Sequence, residues 1–164
     1  AWFKVHEPLA FYSAYFYRRS QKGGFDAEMM CGGTDSVRKK INEFHRKSTL
    51  TANEEDLLVT LEAVYEFNMR GLQFAPIDLY ESDATHFLIT EDRKLRPPFV
   101  SVSGLGESAA QDLMNCRSAG KTFVSVEELS ALCPKVSQTH LETLRKLGAL
   151  GELPATSQIT LFDF

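Results

Sequence analysis

The alternation of apolar and polar positions divides the chain into a series of helices, interrupted once by short extended runs. Pro8 suits the first turn of a helix that Leu9, Phe11, Tyr12, Tyr15 and Phe16 carry forward to Arg18-Arg19-Ser20. Its aromatics exceed what one amphipathic face needs. Two readings stay open: burial against something outside this chain, or an aromatic surface that stacks bases. Gly23-Gly24 ends the segment, and Asp26 is placed to cap a short helix that stops at Gly32-Gly33. Val37, Ile41 and Phe44 then recur at i, i+4 and i+7 and predict a buried stripe, with Arg38, Lys39, Lys40, Arg46 and Lys47 on the other faces. That basic face reads by default as solvated, with phosphate tracking as the alternative. Thr51-x-x-Glu54 has the form of a capping box; the helix it opens turns Leu57, Leu58, Leu61, Val64, Tyr65 and Met69 inward and stops at Gly71. Residues 74 to 79 and 86 to 90 are rich in strand formers, and Glu91-Asp92-Arg93-Lys94 turns the chain before Leu95-Arg96, which predicts a sheet of two or three strands.

Pro97-Pro98 punctuates the chain, and the most informative stretch follows. Residues 99 to 114 read as a short helix or turn, a bend at Gly104-Leu105-Gly106, and a helix with Ala109, Ala110, Leu113 and Met114 inward. Two glycines around one apolar residue let the leucine plug the gap between two helices while the backbone takes angles that a side chain would hinder. Amides of the bend and the first free N–H groups of the next helix then form a concave donor site for a phosphate oxygen. Gly104, Leu105, Gly106, Glu107 and Ser108 are accordingly the candidate DNA-binding residues. The arrangement matches a helix-hairpin-helix motif, which grips duplex DNA by its backbone and is indifferent to base sequence; the bland alternative is an ordinary tight turn. A second pair follows: Ser125-x-x-Glu128 opens a helix ending near Cys133-Pro134, and Ser137 caps another with Leu141, Leu144 and Leu147 inward and Gly148 as its stop. Lacking a G-x-G, it reads as a degenerate copy with a structural task. The expected fold is mainly α with a small β-sheet: residues 1 to 95, a tandem helix-hairpin-helix unit over 96 to 150, and a tail over 151 to 164.

The tail ends in Gln158-Ile159-Thr160-Leu161-Phe162 followed by Asp163-Phe164. Termini are usually polar, so an apolar pentapeptide there calls for a partner, and Q-x-x-L-F is the form that enters the pocket of a bacterial sliding clamp. A terminal strand packed on the domain is the competing reading. Composition narrows the rest. With 164 residues, 43% apolar and 24% charged, the chain can bury a core. Eighteen basic against 22 acidic residues give −4, which argues against a general polyanion binder. The balance is uneven: residues 1 to 50 carry +4 (9 basic, 5 acidic), 51 to 100 carry −6 (4 and 10), and 101 to 150 are neutral (5 and 5), so any DNA contact is local. No apolar run is long enough to span a membrane. Cys31, Cys116 and Cys133 show no metal-ligand spacing and read as reduced thiols of a cytoplasmic protein. His6, His45, His86 and His140 are too scattered for a metal site or a base. The start, without Met or a secretory pattern, reads as a cut inside a longer protein.

Taken in order, Phe3-Lys4-Val5-His6-x-Pro8-Leu9, Ile77-Asp78-Leu79-Tyr80-x-Ser82-x-Ala84-Thr85-x-Phe87, Pro98-Phe99, Gly104-Leu105-Gly106-Glu107, Ala119-Gly120-Lys121-Thr122-Phe123, Leu153-Pro154 and the terminal peptide resemble the C-terminal end of PolC, the Gram-positive-type alpha subunit of DNA polymerase III. The resemblance implies that residues 1 to 95 are the distal part of the fingers, 96 to 150 the duplex-binding domain and the tail the clamp-binding peptide. For the parent it implies template-directed DNA synthesis with divalent metal (magnesium), with the palm and the rest of the fingers as neighbours. Asp163-Phe164 departs from the family, which often stops at the residue matching Phe162. The carboxylates that chemistry needs are not apparent: Glu54-Glu55-Asp56 opens a helix, and Asp78 lies where the family has no catalytic group. No cofactor is expected in this fragment, and the isolated chain is expected to be inactive. Lys4, His6, Arg18 and Arg19 are candidates to meet an incoming nucleotide, though no pattern positions them. The motifs fit either a duplex-gripping part of a polymerase or a stand-alone adaptor between DNA and a clamp.

Overall fold

A computed structural model describes residues 1 to 117 and 122 to 156. Among the described residues, helices α1 (Trp2–His6), α2 (Pro8–Ser20), α3 (Ala27–Met30), α4 (Thr34–Arg46) and α5 (Ala52–Met69) precede an antiparallel pair, β1 (Leu88–Ile89) and β2 (Leu95–Arg96). A 3-10 turn (Phe99–Ser101) leads into α6 (Glu107–Arg117), α7 (Val126–Leu132) and α8 (Gln138–Lys146). Local signals account for most boundaries. Pro8 starts α2, Asp26 Oδ1 accepts the Glu28 N–H at 3.0 Å to start α3, and Thr51 Oγ1 accepts the Glu54 N–H at 3.1 Å to start α5. Gly71, at φ +81, ends α5.

The aromatic density of α2 finds its partners inside the chain. Phe16 is fully buried, with ring centroids 5.4 Å from Phe25, 5.6 Å from Phe67, 5.5 Å from Phe74 and 5.9 Å from Phe87. Neither expectation for this helix holds, neither burial against an absent body nor a base-stacking surface, because its partners come from residues far along the sequence. Along α5 the inward residue of the last turn is Phe67, while Met69 is 62% exposed. The basic face of α4 is largely neutralised: Arg38 pairs with Asp35 at 3.2 Å, Lys40 with Glu43 at 3.1 Å and Lys47 with Glu54 at 2.9 Å. Lys39 and Arg46 alone of the five have no ion-pair partner among the described residues, so the solvated reading is the one the structure supports.

The sheet pairs Leu88 with Arg96 and Ile89 with Leu95. Of residues 74 to 79 only Phe74 joins it, through an isolated parallel bridge to Leu95. The chain then leaves the sheet for a second core, in which Ile77, Leu79 and Ala84 pack with Phe99, Leu105, Leu113, Leu129, Leu141 and Leu144. Phe99 N–H and Val100 N–H donate to the carbonyls of Asp83 and Ala84 at 3.0 and 3.1 Å, Leu79 N–H donates to Ala149 O at 2.9 Å, and Arg117 Nη1 donates to Leu79 O at 2.9 Å. Cys31, partly buried, touches both cores.

Helix α1 carries no periodic signal, and Trp2, Phe3 and Val5 stay mostly exposed. Polar contacts hold it: Lys4 Nζ lies 2.6 Å from Glu66 Oε1, Tyr12 Oη donates to the same oxygen at 2.7 Å, and Arg70 Nη2 donates to Lys4 O at 2.9 Å. Lys4, then Tyr12, hold the Glu66 carboxyl below the usual carboxylate range through these hydrogen bonds. A depressed carboxylate contributes stability that is present above its unfolded pKa of about 4.3 and is lost as pH falls through the folded value. Acidification below about pH 4 is therefore expected to release α1, read by the fluorescence of Trp2, the single tryptophan. Glu66→Gln should abolish that transition; one that survives it belongs to other groups. For the aromatic core, Phe16→Ala is expected to cost about 3–5 kcal/mol in a urea melt, and a loss under ~1 kcal/mol would show that these rings do not carry the first core.

Candidate nucleic-acid interface

The bend of the first hairpin is built by one turn and one plug. Leu105 N–H donates to Val102 O at 3.0 Å, closing a four-residue turn with Gly104 in the third place at φ +80, the sign a type II turn demands there. Leu105 is 4% exposed, and its side chain belongs to the second core. It is the expected plug, but its amide is spent inside the turn and is not offered to a ligand. Gly106 O accepts the Ala110 N–H at 3.0 Å, so Gly106 is the cap residue of α6 and brings no side-chain acceptor to the helix start. The amides of Gly106, Glu107 and Ser108 have no acceptor among the described residues, and these three residues are exposed. Three outward N–H groups at the positive end of an 11-residue helix are suited to an anion.

Packing of the second hairpin adds groups that sequence reasoning assigned a purely structural task. Lys135, in the bend between α7 and α8, donates from Nζ to Ser108 Oγ at 3.0 Å and so stands beside those amides. His140 caps α8 reciprocally with Ser137: the His140 N–H donates to Ser137 Oγ at 3.2 Å and the Ser137 N–H to His140 Nδ1 at 3.4 Å. Its other ring nitrogen would lie 3.3 Å from a Cβ on Gly104. A Cβ on Gly106, by contrast, would meet nothing within 4 Å. The backbone at 106 is thus open to a ligand, whereas 104 is fixed by its own fold. A shallow concavity of about 390 Å³ runs from Glu107 and Ser108 to Lys135, and another of about 350 Å³ separates the bend from Gln21, Gly23 and Thr85. Only three-dimensional packing joins Lys135 and His140 to the bend; the lone signal in the sequence is a basic residue between Pro134 and the cap Ser137.

The other candidates separate. Lys4 is paired with Glu66, Arg19 donates to Thr60 Oγ1 at 2.9 Å and to Asp56 O at 2.8 Å, and His6 stacks on Trp2, leaving Arg18 exposed. Asp78 Oδ1 accepts the Tyr80 and Glu81 amides at 2.9 and 3.1 Å, and Asp83 Oδ2 accepts those of Thr85 and His86, each at 2.9 Å. These acids organise turns. Among the described residues, the grouping of three metal-ligand types is Asp112, Cys116 and Cys133. Magnesium takes oxygen ligands, so this set does not fit the metal expected of a polymerase palm, and no step is derived through it. Val126 and Glu127 N–H donate to Pro154 O and Ala155 O at 2.8 and 3.1 Å, which fastens the start of the tail to the N-terminus of α7. The expected clamp-binding residues Gln158, Ile159, Thr160, Leu161 and Phe162 lie outside the described residues, as does Lys121.

Comparison with known proteins bears out the resemblance read from the ordered motifs. The chain is 43% identical over 166 aligned residues to the DNA polymerase III PolC-type of Streptococcus suis, 39% over 162 to that of Thermotoga maritima and 39% over 163 to that of Clostridium perfringens. Each alignment covers 99% of this chain but only 11–12% of the relative, so the chain spans roughly a ninth of their length. Among the described residues, no helix is long and apolar enough to cross a membrane. A family model described as "Helix-hairpin-helix motif" matches residues 71 to 159, more than half of the chain, and that stretch contains the bend, its plug and both hairpins. The chain belongs to this helix-hairpin-helix family.

Proposed function

We propose that the chain is the duplex-holding part of a cytoplasmic replicative DNA polymerase: of the candidate stretch 104 to 108 it grips backbone phosphates with the amides of residues 106 to 108, Gly104 and Leu105 shaping the bend, and it tethers the enzyme to the sliding clamp through residues 158 to 162. The observation that carries the first half is the set of exposed, unpartnered amides of Gly106, Glu107 and Ser108 with Lys135 beside them. Phosphate is the anion this geometry suits, since the donors that carry the reading are backbone amides and one ammonium, the kind of contact that goes to the backbone of a duplex. Similarity along 99% of the chain to PolC-type polymerases favours a part of such an enzyme over a free-standing adaptor. Template-directed synthesis, its magnesium and the carboxylates that hold it belong to other parts of the parent, and residues 1 to 95 serve as the distal fingers against the palm.

Binding to duplex DNA should fall with salt and be indifferent to base sequence. Gly106→Asp puts a carboxylate where the phosphate sits while supplying α6 with a good cap, so it is expected to weaken duplex binding by about tenfold or more without lowering the melting temperature. Lys135→Met should reduce the slope of log affinity against log salt by about 1. Fluorescence anisotropy with labelled duplexes of two unrelated sequences checks both, and unchanged affinity in both variants would remove residues 104 to 108 from the interface. Leu161→Ala with Phe162→Ala is expected to cost about 3 kcal/mol or more of clamp affinity, roughly a hundredfold or more, and to spare duplex binding. The isolated chain should extend no primer in the presence of magnesium and nucleotides.

A further inference from the structure

Asp112 and Cys116 lie four residues apart on α6 and therefore share one face of that helix. Cys133, at the C-terminal end of α7, is brought to the same face. The two sulfurs are 2.7 Å apart, and a carboxylate oxygen of Asp112 and both sulfurs all lie within 4.8 Å of one another. Asp112 Oδ2 is buried with no hydrogen-bond partner, and Cys133 is fully buried. The thiols find only weak acceptors: Cys116 Sγ donates to Leu132 O at 3.2 Å, and Cys133 Sγ to Cys116 Sγ at 2.7 Å or to Asp112 O at 3.9 Å. Thiols are poor donors, and an orphaned carboxylate oxygen is costly to bury, so this cluster has acceptors and lacks a positive centre. The site is unrelated to magnesium chemistry, because sulfur ligands select softer ions.

We propose that Asp112, Cys116 and Cys133 bind one thiophilic divalent cation of the zinc class, with water in the fourth position. Three protein ligands, two of them thiolates, are a recognised donor set for zinc, and binding releases the two thiol protons to solvent. A tetrahedral site with Zn–S bonds of about 2.3 Å sets its sulfurs about 3.8 Å apart; the sulfurs therefore separate on loading, and Cys116, the half-exposed one of the two, is the side chain placed to move. A disulfide is the competing chemistry. It needs an added oxidant, such as a small-molecule disulfide, and it leaves Asp112 Oδ2 without a partner, whereas a cation satisfies all three groups at once. The bound ion would fasten the bend between α7 and α8 to α6, two residues before Lys135. Tighter duplex binding is a consequence that rests on the proposed function; the cation site does not.

The test uses the 164-residue chain, stripped of metal and kept reduced with a non-chelating phosphine. Competition with a chromophoric chelator should show one zinc per chain, and cobalt(II) should give thiolate-to-metal charge-transfer absorption. Cys116→Ser, at the half-exposed position, should lose that absorption and stoichiometric zinc binding while circular dichroism shows an intact fold. Asp112→Asn should weaken binding, and zinc should raise the melting temperature of the parent chain and of Cys31→Ser alike but not that of Cys116→Ser. The proposal is overturned by an absence of charge-transfer absorption in the parent chain, by equal binding in Cys116→Ser, or by no metal uptake together with a Cys116–Cys133 disulfide formed on exposure to oxidised glutathione. Duplex affinity measured with and without zinc is a separate readout, so failure there touches the DNA reading and not the site.

Discussion

Burying one leucine while keeping the next three amides in water is the constraint on which the interface depends. Leu105 is held in the second core beside Leu113 and Leu141, and the chain must reverse within two residues of it to start α6. Gly104 at φ +80 makes that reversal, a backbone conformation that strains any residue with a Cβ, and such a Cβ would also press on the His140 ring at 3.3 Å. The first turn of α6 is thereby pinned by an apolar anchor on its inner side, and its donors point out. A side-chain cap would satisfy those donors from within; glycine at the cap position leaves them free. Local helix stability is given up in exchange for an open donor set, a conflict between local and global preference that is expected at functional positions.

Much of this was legible because it is local. Capping residues Asp26, Thr51, Ser125 and Ser137 all accept the backbone N–H that their positions predict. The stops at Gly71 and Gly148 and the inward residues of α6 and α8 follow from period and glycine placement alone. What sequence could not supply was the identity of distant partners. Phe16 meets Phe74 and Phe87 only because the chain returns through the sheet, and Phe67 displaces Met69 as the inward residue because the rings of α2 cover that side of α5. Lys135 and His140 reach the bend by packing of one hairpin on the other. The pairing of Cys116 with Cys133 was hidden for the same reason: a gap of 17 residues matches no ligand spacing, yet α6 and α7 bring the sulfurs together.

The segment from Ile77 to Phe87, one of the most extended of the motifs that carry the resemblance, turns out to be a clasp. Asp78 and Asp83 gather four backbone amides between them, Ser82 Oγ accepts the Asp78 N–H at 2.9 Å, and Met114 Sδ accepts the Ala84 N–H at 2.8 Å. Tyr80 Oη accepts the Phe123 N–H at 3.1 Å, which ties the clasp to the start of the second hairpin. Phe87 at one end enters the first core, and Ile77, Leu79 and Ala84 enter the second. Acids that could pass for catalytic groups in a polymerase-like sequence are thus consumed in joining two cores, and the hairpins take their orientation from that joint.

Electrostatics then limits how such a chain can hold a polyanion. With 22 acids against 18 bases, and the acids concentrated over residues 51 to 100, the long-range field repels DNA rather than steering it. The bases of α4 are mostly paired, so they offer few counterion-releasing contacts. Attraction must come at short range, from oriented amides that carry no net charge and from Lys135, and such contacts act only once a strand is already within hydrogen-bond distance. A domain of this kind is weak as a DNA hunter and useful as a DNA holder. On the proposed function, the rest of a larger enzyme brings the duplex to it, and the low intrinsic attraction would leave the strand free to slide.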